Sequence, residues 1–477
     1  MSQATHTTDV VVIGGGPGGY TAAFLAADRG MSVTLVDEAP RPGGVCLYRG
    51  CMPSKALLHA AKVVNDARQA SVFGVSFGSP SIDVDRLRGW KDDVVSKLTG
   101  GLAQLTKQRG ITYLQGRATF ADAQTLAVDI KTDTDSSAVV CFRHAIVATG
   151  SRPSKPEALS FDDPRVLDST SALELQEIPS SLLVVGGGYI GLELGTVYAA
   201  LGSAVTVVEL TKSLLPGADA DLVRVLERSV GRVVEAIHLE TEVAGLTAAP
   251  GGIDVSLRDM NGGVRTEQFK KVLIAVGRQP NSDCVGLQNT AVSRDGKGFI
   301  VTDAQCQTAE KSIFAIGDVS GEPMLAHKGF AEARVAVEAI GGQKAVFAPK
   351  AIPAVVFTDP EVAWCGLTED EATTTGRKVA VAKFPWGASG RALTLSRPEG
   401  FTKLVVDPEN EQILGVGIVG VGAGELIAEG VVAIEMGMTV SDMRMSIHPH
   451  PTVSETFGEA AELFLGECTH VYKPKKS

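Results

Sequence analysis

Short runs of β-branched and aliphatic residues, closed by glycines and followed by alanine- or leucine-rich stretches, recur along this chain and predict alternating strands and helices. Val10-Val11-Val12-Ile13 passes through Gly14-Gly15-Gly16-Pro17-Gly18-Gly19 into an apolar run from Tyr20 to Ala27, the order strand, glycine turn, helix. A second strand over 33–36 ends at Asp37-Glu38. Helices are predicted from Ala56 to Ala67 and from Leu87 to Gln108, the latter with interrupted periodicity. Residues 111–147 are strand-rich, with runs at 111–114, 126–128 and 138–142. The first order then returns: strand 181–185, the turn Gly186-Gly187-Gly188-Tyr189-Ile190-Gly191, a helix over 192–198, and a strand over 204–208 that stops at Glu209. A helix over 219–234, strands and turns through Gly262, and strand-like runs at 271–276 and 312–316 follow. From Pro353 the pattern changes: strands at 354–357, 379–382, 401–406 and 412–419 predict a sheet, followed by a helix through about Ile434.

The glycine spacings carry the first chemistry. Gly14, Gly16 and Gly19, and again Gly186, Gly188 and Gly191, satisfy G-x-G-x-x-G between a strand and a helix. Such a turn brings backbone close to a pyrophosphate, which the following helix start favours. An acid at the end of the next strand accepts hydrogen bonds from a ribose diol, a role that falls to Asp37 in the first unit and Glu209 in the second. Glu209 would repel a 2'-phosphate, and the nearest cation is Lys212, so the second unit favours NAD over NADP. Two units imply two dinucleotides and an electron-transfer enzyme of the α/β class, with two Rossmann-like nucleotide-binding domains and no third fingerprint after them.

Composition narrows this further. A length of 477 residues allows two to four domains, and 53 glycines with 44% hydrophobic residues suit a turn-rich α/β protein. A formal charge of −11 and sparse aromatics argue against nucleic-acid binding. The segment from Met1 to Asp9 lacks a basic, apolar leader, and the most apolar tract, 413–438, contains Glu425, Glu429 and Glu435; the expectation is a cytoplasmic protein without membrane insertion. Seven scattered cysteines do not form a secreted disulfide framework. Cys46 and Cys51 precede a helix-like run, a placement compatible with redox chemistry, metal ligation or packing. Their spacing is not the tight zinc spacing and no second cysteine or histidine pair matches it, so no metal site is expected.

The whole segment Gly43-Gly44-Val45-Cys46-Leu47-Tyr48-Arg49-Gly50-Cys51-Met52-Pro53-Ser54-Lys55 resembles the active-site disulfide segment of the pyridine nucleotide-disulfide oxidoreductases, a family of flavoenzymes, and the resemblance runs from Asp9 to about Phe464. It departs from the usual wording at Val45, where threonine is common, and at Tyr48 and Arg49, where asparagine and valine are common. The resemblance implies FAD in the first unit and NAD in the second. It assigns 1–150 and 278–350 to a discontinuous FAD domain, 151–277 to an NAD domain, and 351–477 to an α+β interface domain of a homodimer. Cys46 would be the sulfur attacked by substrate and Cys51 the sulfur next to the flavin. Lys55 and Glu193 would pair near the reactive flavin nitrogen, with Tyr189 a gate on the nicotinamide side.

By the same resemblance, Thr149 and Gly150 would mark the crossover into the NAD domain and Gly277 the return. Asp318 would contact the ribityl chain, while Met324, Ala326 and His327 pass beside the flavin. His450 would exchange protons and Glu455 orient it, both from the opposite subunit, with His448 in support. From their residues alone, Asp318 could cap a helix, Lys55 and Glu193 could be solvated helix positions, His450 a packed or surface residue, and Glu455 a helix start. The lipoamide-linked branch of the family is the nearest in wording, which implies NAD-dependent oxidation of protein-bound dihydrolipoamide. The lipoyl carrier would be a separate chain, an E2 of a 2-oxo acid dehydrogenase complex or a glycine-cleavage carrier. A glutathione-linked reductase would call for NADP and basic substrate contacts; a mercuric reductase would carry a terminal cysteine pair where this chain has only Cys468. A non-catalytic nucleotide-binding scaffold would leave the fingerprints, cysteines and histidine without a shared purpose.

Overall fold

Strand Ala4–Ile13 pairs in parallel with Val33–Asp37 on one side and Ser136–Val147 on the other, and helix Pro17–Asp28 makes the connection between the first two. The computed structural model describes residues 4–131 and 136–472; the first three residues of the Met1–Asp9 segment lie outside the described residues. Val10, Val11 and Val12 are fully buried, as in a parallel strand covered on both faces. The strand begins at Ala4 rather than at Val10, because the polar stretch before Val10 pairs with Ala138–Phe142, a long-range partner that periodicity does not reveal. Thr112–Asp122 and Thr125–Ile130 extend this six-stranded sheet, and Ile313–Ala315 returns to it beside Ser136–Val147 after the chain has passed through the second unit.

The second unit is a five-stranded parallel sheet in the order Ala236–His238, Ala204–Val208, Ser181–Val185, Lys271–Ile274, Val166–Leu167. Helix Tyr189–Leu201 connects the second and third of its central strands in the same way as the first unit. A three-stranded antiparallel sheet, Thr241–Ala249, Gly252–Asp259 and Val264–Phe269, lies beside it and continues past the Gly262 limit read from sequence. The chain leaves and re-enters the first unit along one short antiparallel pair, Ser151–Pro153 with Arg278–Pro280. The helix expected over 219–234 spans Ala220–Val230; Gly231 caps it and a turn replaces its last residues.

The C-terminal region is a five-stranded antiparallel sheet, in the order Ala354–Val356, Glu361–Gly366, Ile413–Gly420, Phe401–Val406, Ala380–Pro385, with helices Ala423–Glu435 and Glu455–Leu465. The architecture is therefore two Rossmann-like α/β units and a distinct C-terminal α+β domain. One core cluster joins them around the helix that follows the cysteines: Leu57 and Ala61, Leu192 and Val197 of the second unit, and Val356, Val362 and Val419 of the C-terminal sheet. Burial of Trp386, whose indole N–H donates to Thr402, and the 2.7 Å contact of Thr402 with Thr456 anchor helix Glu455–Leu465 on that sheet. Among the described residues no helix is long and apolar enough to cross a membrane.

Candidate active site

Both glycine turns are built to the same plan. A Cβ on Gly19 would stand 1.8 Å from the Gly14 carbonyl oxygen, and one on Gly191 would stand 2.1 Å from that of Gly186, so neither helix can approach its strand with a larger residue there. Gly14 and Gly186 adopt φ of +102° and +108°, which favours glycine. At Gly188 a Cβ would meet nothing within 4 Å and at Gly16 only Gly44 Cα at 3.9 Å, which leaves open space at the helix mouth where a pyrophosphate needs it. Pro17 begins the first helix, where its missing N–H costs nothing.

The two acids at the strand ends bind backbone of their own turns. Asp37 accepts from the N–H groups of Gly15 at 2.5 Å and Ala39 at 2.7 Å; burial pushes its carboxyl above the usual range despite these bonds. Glu209 accepts from the Gly187 N–H at 2.7 Å and from both the N–H and the hydroxyl of Thr211 at 2.8 Å. Each carboxylate therefore fastens its own glycine turn, while an oxygen with two lone pairs retains capacity for a diol. These cradles fit two dinucleotides.

Between them stand the cysteines. Cys46 lies in the short helix Gly44–Arg49, and Cys51 is the first residue of helix Cys51–Gln69. The sequence placed the helix start at Ala56; it begins earlier because Pro53 in the first turn lacks only an N–H that would have no partner there. Gly50 separates the helices, and a Cβ on it would meet the Val45 carbonyl oxygen at 2.9 Å. Both sulfurs are free thiols. The hydrogen bond between them pushes the Cys46 thiol up and brings Cys51 down to about 7, with the Lys55 ammonium adding to the latter effect. Cys51 is thus the sulfur disposed to be a thiolate. Of the unusual neighbours, the Tyr48 hydroxyl donates to the Arg41 carbonyl oxygen at 3.1 Å, and Arg49 is exposed.

One helical turn beyond Cys51, Lys55 Nζ pairs with Glu193 at 2.8 Å; the Glu193 side chain is only 4% exposed. This excludes the solvated-face reading of both residues. A third member was missed in the sequence: the Phe357 N–H donates to the other Glu193 oxygen at 3.0 Å, and its ring centroid lies 4.4 Å from Lys55 Nζ. Its only sequence signal was a place at the end of a predicted strand some 300 residues from Lys55. Tyr189, partly exposed, opens the second unit's helix, and the charges of Arg278, Asp318, Glu193 and Cys51 all reach its phenol.

The crossover strands meet the same region. The Thr149 hydroxyl donates to the Asn281 carbonyl oxygen at 2.7 Å, Gly150 and Gly277 adopt φ of +68° and +113°, and the Gly277 carbonyl oxygen accepts from the Ser154 N–H. Asp318 accepts from the Ser151 hydroxyl at 2.6 Å, which in turn accepts from Arg278 at 2.7 Å. Asp318 sits in the short turn Gly317–Val319 and does not cap helix Ala326–Ile340, whose N-cap is Leu325 without a side-chain bond; the capping reading is thereby excluded. A buried pair on that helix, Lys328 and Glu332, was also missed: Glu332 accepts from the Gly317 N–H at 2.6 Å and Lys328 donates to the Gly317 carbonyl oxygen at 3.0 Å. Met324 is half-buried just before the helix, Ala326 is its first residue, and His327 contacts the Pro353 carbonyl oxygen at 2.7 Å.

His450 Nδ1 lies 2.8 Å from Glu455 Oε1, while Glu455 Oε2 accepts from the Thr452 N–H at 2.8 Å. Burial alone would raise the Glu455 carboxyl, but the Thr452 N–H and His450 hold it below the usual range. Glu455 also starts its helix, so the two readings of that residue coexist. The His450 ring is 78% exposed, and no hydrogen bond or ion pair among the described residues joins it to Cys46 or Cys51. His448 has its own carboxylate, Glu429 at 2.7 Å, which raises its pKa; Glu429 was unremarked in the sequence except as a charge in an apolar tract.

Two dinucleotide cradles around a dithiol, with an antiparallel C-terminal domain, define the class of flavin-dependent disulfide oxidoreductases. The chain belongs to the pyridine nucleotide-disulphide oxidoreductase family, whose pattern it matches over residues 8–333, with the family's dimerisation domain over 352–461. It is 46% identical over 466 residues to the dihydrolipoyl dehydrogenase of Vibrio parahaemolyticus serotype O3:K6, covering 98% of this chain and 97% of that one. Similar matches are the dihydrolipoyl dehydrogenase of Haemophilus influenzae, 46% identical over 98% and 97% of the two chains, and dihydrolipoyl dehydrogenase 2 of Haloarcula marismortui, 45% over 98% and 99%. Among solved structures, the Cu(II) complex of the HOCl-induced flavoprotein disulfide reductase RclA from Escherichia coli superposes with a TM-score of 0.83 at 26% identity, over 94% and 98% of the two chains.

Proposed function

We propose that this protein is an NAD-dependent dihydrolipoyl dehydrogenase that oxidises protein-bound dihydrolipoamide to lipoamide. The observation that carries the proposal is the Cys46–Cys51 dithiol, with Lys55 and Glu193 beside it, set between a first glycine cradle and a second one closed by an acid. Bound FAD supplies the two-electron relay between the dithiol and NAD. Gly14, Gly16 and Gly19 with Asp37 would hold the FAD pyrophosphate and ribose, and Thr149, Gly150, Asp318, Met324, Ala326 and His327 would line the rest of it. Gly186, Gly188, Gly191 and Glu209 would hold NAD; the Glu209 charge supports that choice over NADP.

The sulfur steps balance without another reagent. With Cys46 and Cys51 oxidised to a disulfide, His450 accepts the proton of one substrate thiol. The resulting thiolate attacks Cys46 Sγ, the Cys46–Cys51 bond breaks, and Cys51 leaves as a thiolate beside Lys55. The second substrate thiol then attacks the substrate sulfur of the mixed disulfide, its proton passes to the departing Cys46 sulfur, and lipoamide is released with the Cys46 thiol, while His450 keeps the first proton. The lower pKa of Cys51 fits its role as leaving group. Glu455, fastened by Thr452, orients His450 and stabilises its protonated form.

The exposed His450 ring supports its delivery to the cysteines of a second subunit, as do the exposed apolar side chains of Val432, Met436, Met445 and Ile447 on the C-terminal domain. The enzyme we infer is therefore a homodimer, cytoplasmic, serving a separate lipoyl-bearing chain such as an E2 or a glycine-cleavage carrier. NADH formation from dihydrolipoamide, compared with reduced glutathione and with NADP in place of NAD, tests the proposal. Failure of the flavin-loaded dimer to reduce NAD with dihydrolipoamide would reject it.

A further inference from the structure

Three segments remote in sequence meet around the Lys55 ammonium. Lys55 stands on helix Cys51–Gln69, Glu193 on helix Tyr189–Leu201, and Phe357 directly after strand Ala354–Val356 of the C-terminal sheet. The contacts form a closed triangle: Lys55 to Glu193 at 2.8 Å, Glu193 to the Phe357 N–H at 3.0 Å, and the Phe357 ring centroid to Lys55 at 4.4 Å. Neither member of the ion pair is held by the other alone. The carboxylate divides its two oxygens between an ammonium and a peptide N–H, and the ammonium divides its contacts between a carboxylate and an aromatic face.

Resting on the redox reading of Cys51, we propose that Phe357 is a positioning residue for the Lys55–Glu193 pair: its ring face seats the ammonium and its N–H holds the carboxylate, so that the C-terminal sheet sets where the cation stands beside Cys51. A guanidinium or ammonium over an aromatic face is attracted by the ring quadrupole, an interaction that leucine of similar bulk cannot supply. The peptide N–H matters for a second reason. It occupies one carboxylate oxygen, which restrains Glu193 from wrapping fully around Lys55 and cancelling the charge that acts on Cys51. The residue before that strand, Pro353, is tied to helix Ala326–Ile340 through His327, so the segment leading to Phe357 is held at both ends.

The consequence is read at the Cys51 sulfur. The groups that face it are Cys46 from the preceding short helix, Lys55 from its own helix, Glu193 and Tyr189 from the second unit, and Tyr20 from the first helix. Lys55 is the cation among them, and it favours the thiolate whereas Glu193 opposes it. Loosening Lys55 therefore moves Cys51 in one direction only, toward the thiol.

The experiment is the pH dependence of Cys51 alkylation by iodoacetamide in the reduced full-length protein, read by peptide mass spectrometry, for the wild type, Phe357→Leu and Phe357→Tyr. Phe357→Leu should move the profile upward by about 0.5 pH unit, because an ammonium no longer seated on the ring attracts the thiolate less strongly. Phe357→Tyr, which keeps the ring, should leave it in place. In a Lys55→Gln background, Phe357→Leu should cause no further shift, because the route through the ammonium has been removed; a merely structural disturbance would shift both backgrounds alike. An unmoved profile in Phe357→Leu, or an equal shift with and without Lys55, overturns the proposal. If Phe357→Leu does not accumulate as folded protein, Phe357→Met carries the same expectation and the same two refuting results. Alkylation does not depend on turnover, so failure here is distinct from failure of the dihydrolipoamide assay.

Discussion

Replacing Lys403 with methionine removes the cation that fastens the second Rossmann-like unit to the C-terminal sheet. The Lys403 side chain is 1% exposed, and its ammonium lies 2.5 Å from Asp219, 2.8 Å from Asp221 and 2.9 Å from Glu369. Asp219 and Asp221 open helix Ala220–Val230, so the contact pins the start of that helix. Burial alone would lower the Lys403 pKa, but the three carboxylates hold it above the lysine range; burial alone would raise Asp221, but Lys383 and Lys403 hold it below the usual carboxylate range. Deleting one partner of a buried ion pair costs ~3–5 kcal/mol. Lys383 still reaches Asp221 at 2.6 Å and Glu369 at 3.0 Å in the variant, so the buried Asp219 bears the loss. The low end applies, about 3 kcal/mol, or ~10²-fold in the local opening equilibrium. Methionine fills nearly the same volume, which limits any cavity contribution.

The sign with pH follows from linkage. The raised pKa of Lys403 makes its contribution complete below the ordinary lysine pKa and lost only as pH rises through the higher folded value; the depressed pKa of Asp221 makes its contribution complete above the ordinary carboxylate pKa and lost as pH falls through the lower one. The wild-type latch is therefore intact between about pH 5 and pH 9. In Lys403→Met Asp221 loses one of the two cations that hold its carboxyl low and takes up a proton more readily, so the penalty shrinks from pH 7 toward pH 5. Hydrogen exchange followed by mass spectrometry, corrected for intrinsic rates, reads this directly in peptides spanning 219–230 and 401–406. Protection unchanged in both segments at pH 7, or a loss of equal size at both pH values, would refute the reasoning.

Other consequences are simpler to test. Cys46→Ser and Cys51→Ser should each abolish lipoamide turnover while flavin absorbance of the purified protein persists, since neither sulfur belongs to the glycine cradle; retained turnover in either would remove the sulfur relay. Gly19→Ala places a Cβ 1.8 Å from the Gly14 carbonyl oxygen and should yield protein purified without flavin, with the holoprotein spectrum as the check. Glu455→Gln keeps an acceptor for the Thr452 N–H but loses the charge beside His450, and should lower kcat with dihydrolipoamide by about 10²-fold at unchanged flavin content. Glu209→Gln should weaken NADH binding by about tenfold, the loss of one charge-assisted bond, and narrow the preference over NADPH in a direct titration.

Where residues act through near neighbours, the chain was readable. The alternation of apolar runs and glycine turns placed both parallel units, because strand, turn and helix each impose their own spacing. The resemblance then directed attention to Lys55, Glu193, His450 and Glu455, and each acquired a partner at hydrogen-bond distance in the structure. Boundaries slipped where a partner from afar overrode local preference: Ala4 to Thr8 became strand by pairing with Ala138 to Phe142, and the helix after the cysteines reached back to Cys51 across Pro53. Phe357, Glu332, Lys328 and Glu429 drew no notice, since a phenylalanine ending a strand or a charge on a helix has many uses.

The two fingerprints and the acidic strand ends are local properties, written in contiguous residues, and they point to dinucleotides; the cysteine spacing by itself left redox chemistry, metal ligation and packing open, and the wording around it selected among them through the resemblance. Which sulfur becomes the thiolate is not local. It follows from the hydrogen bond between the two thiols and from an ammonium in contact with Glu193 and Phe357, residues that packing of the second unit and the C-terminal sheet brings to Lys55. An electric field depends on distances in space, and those distances exist only once the two units and the C-terminal domain have packed.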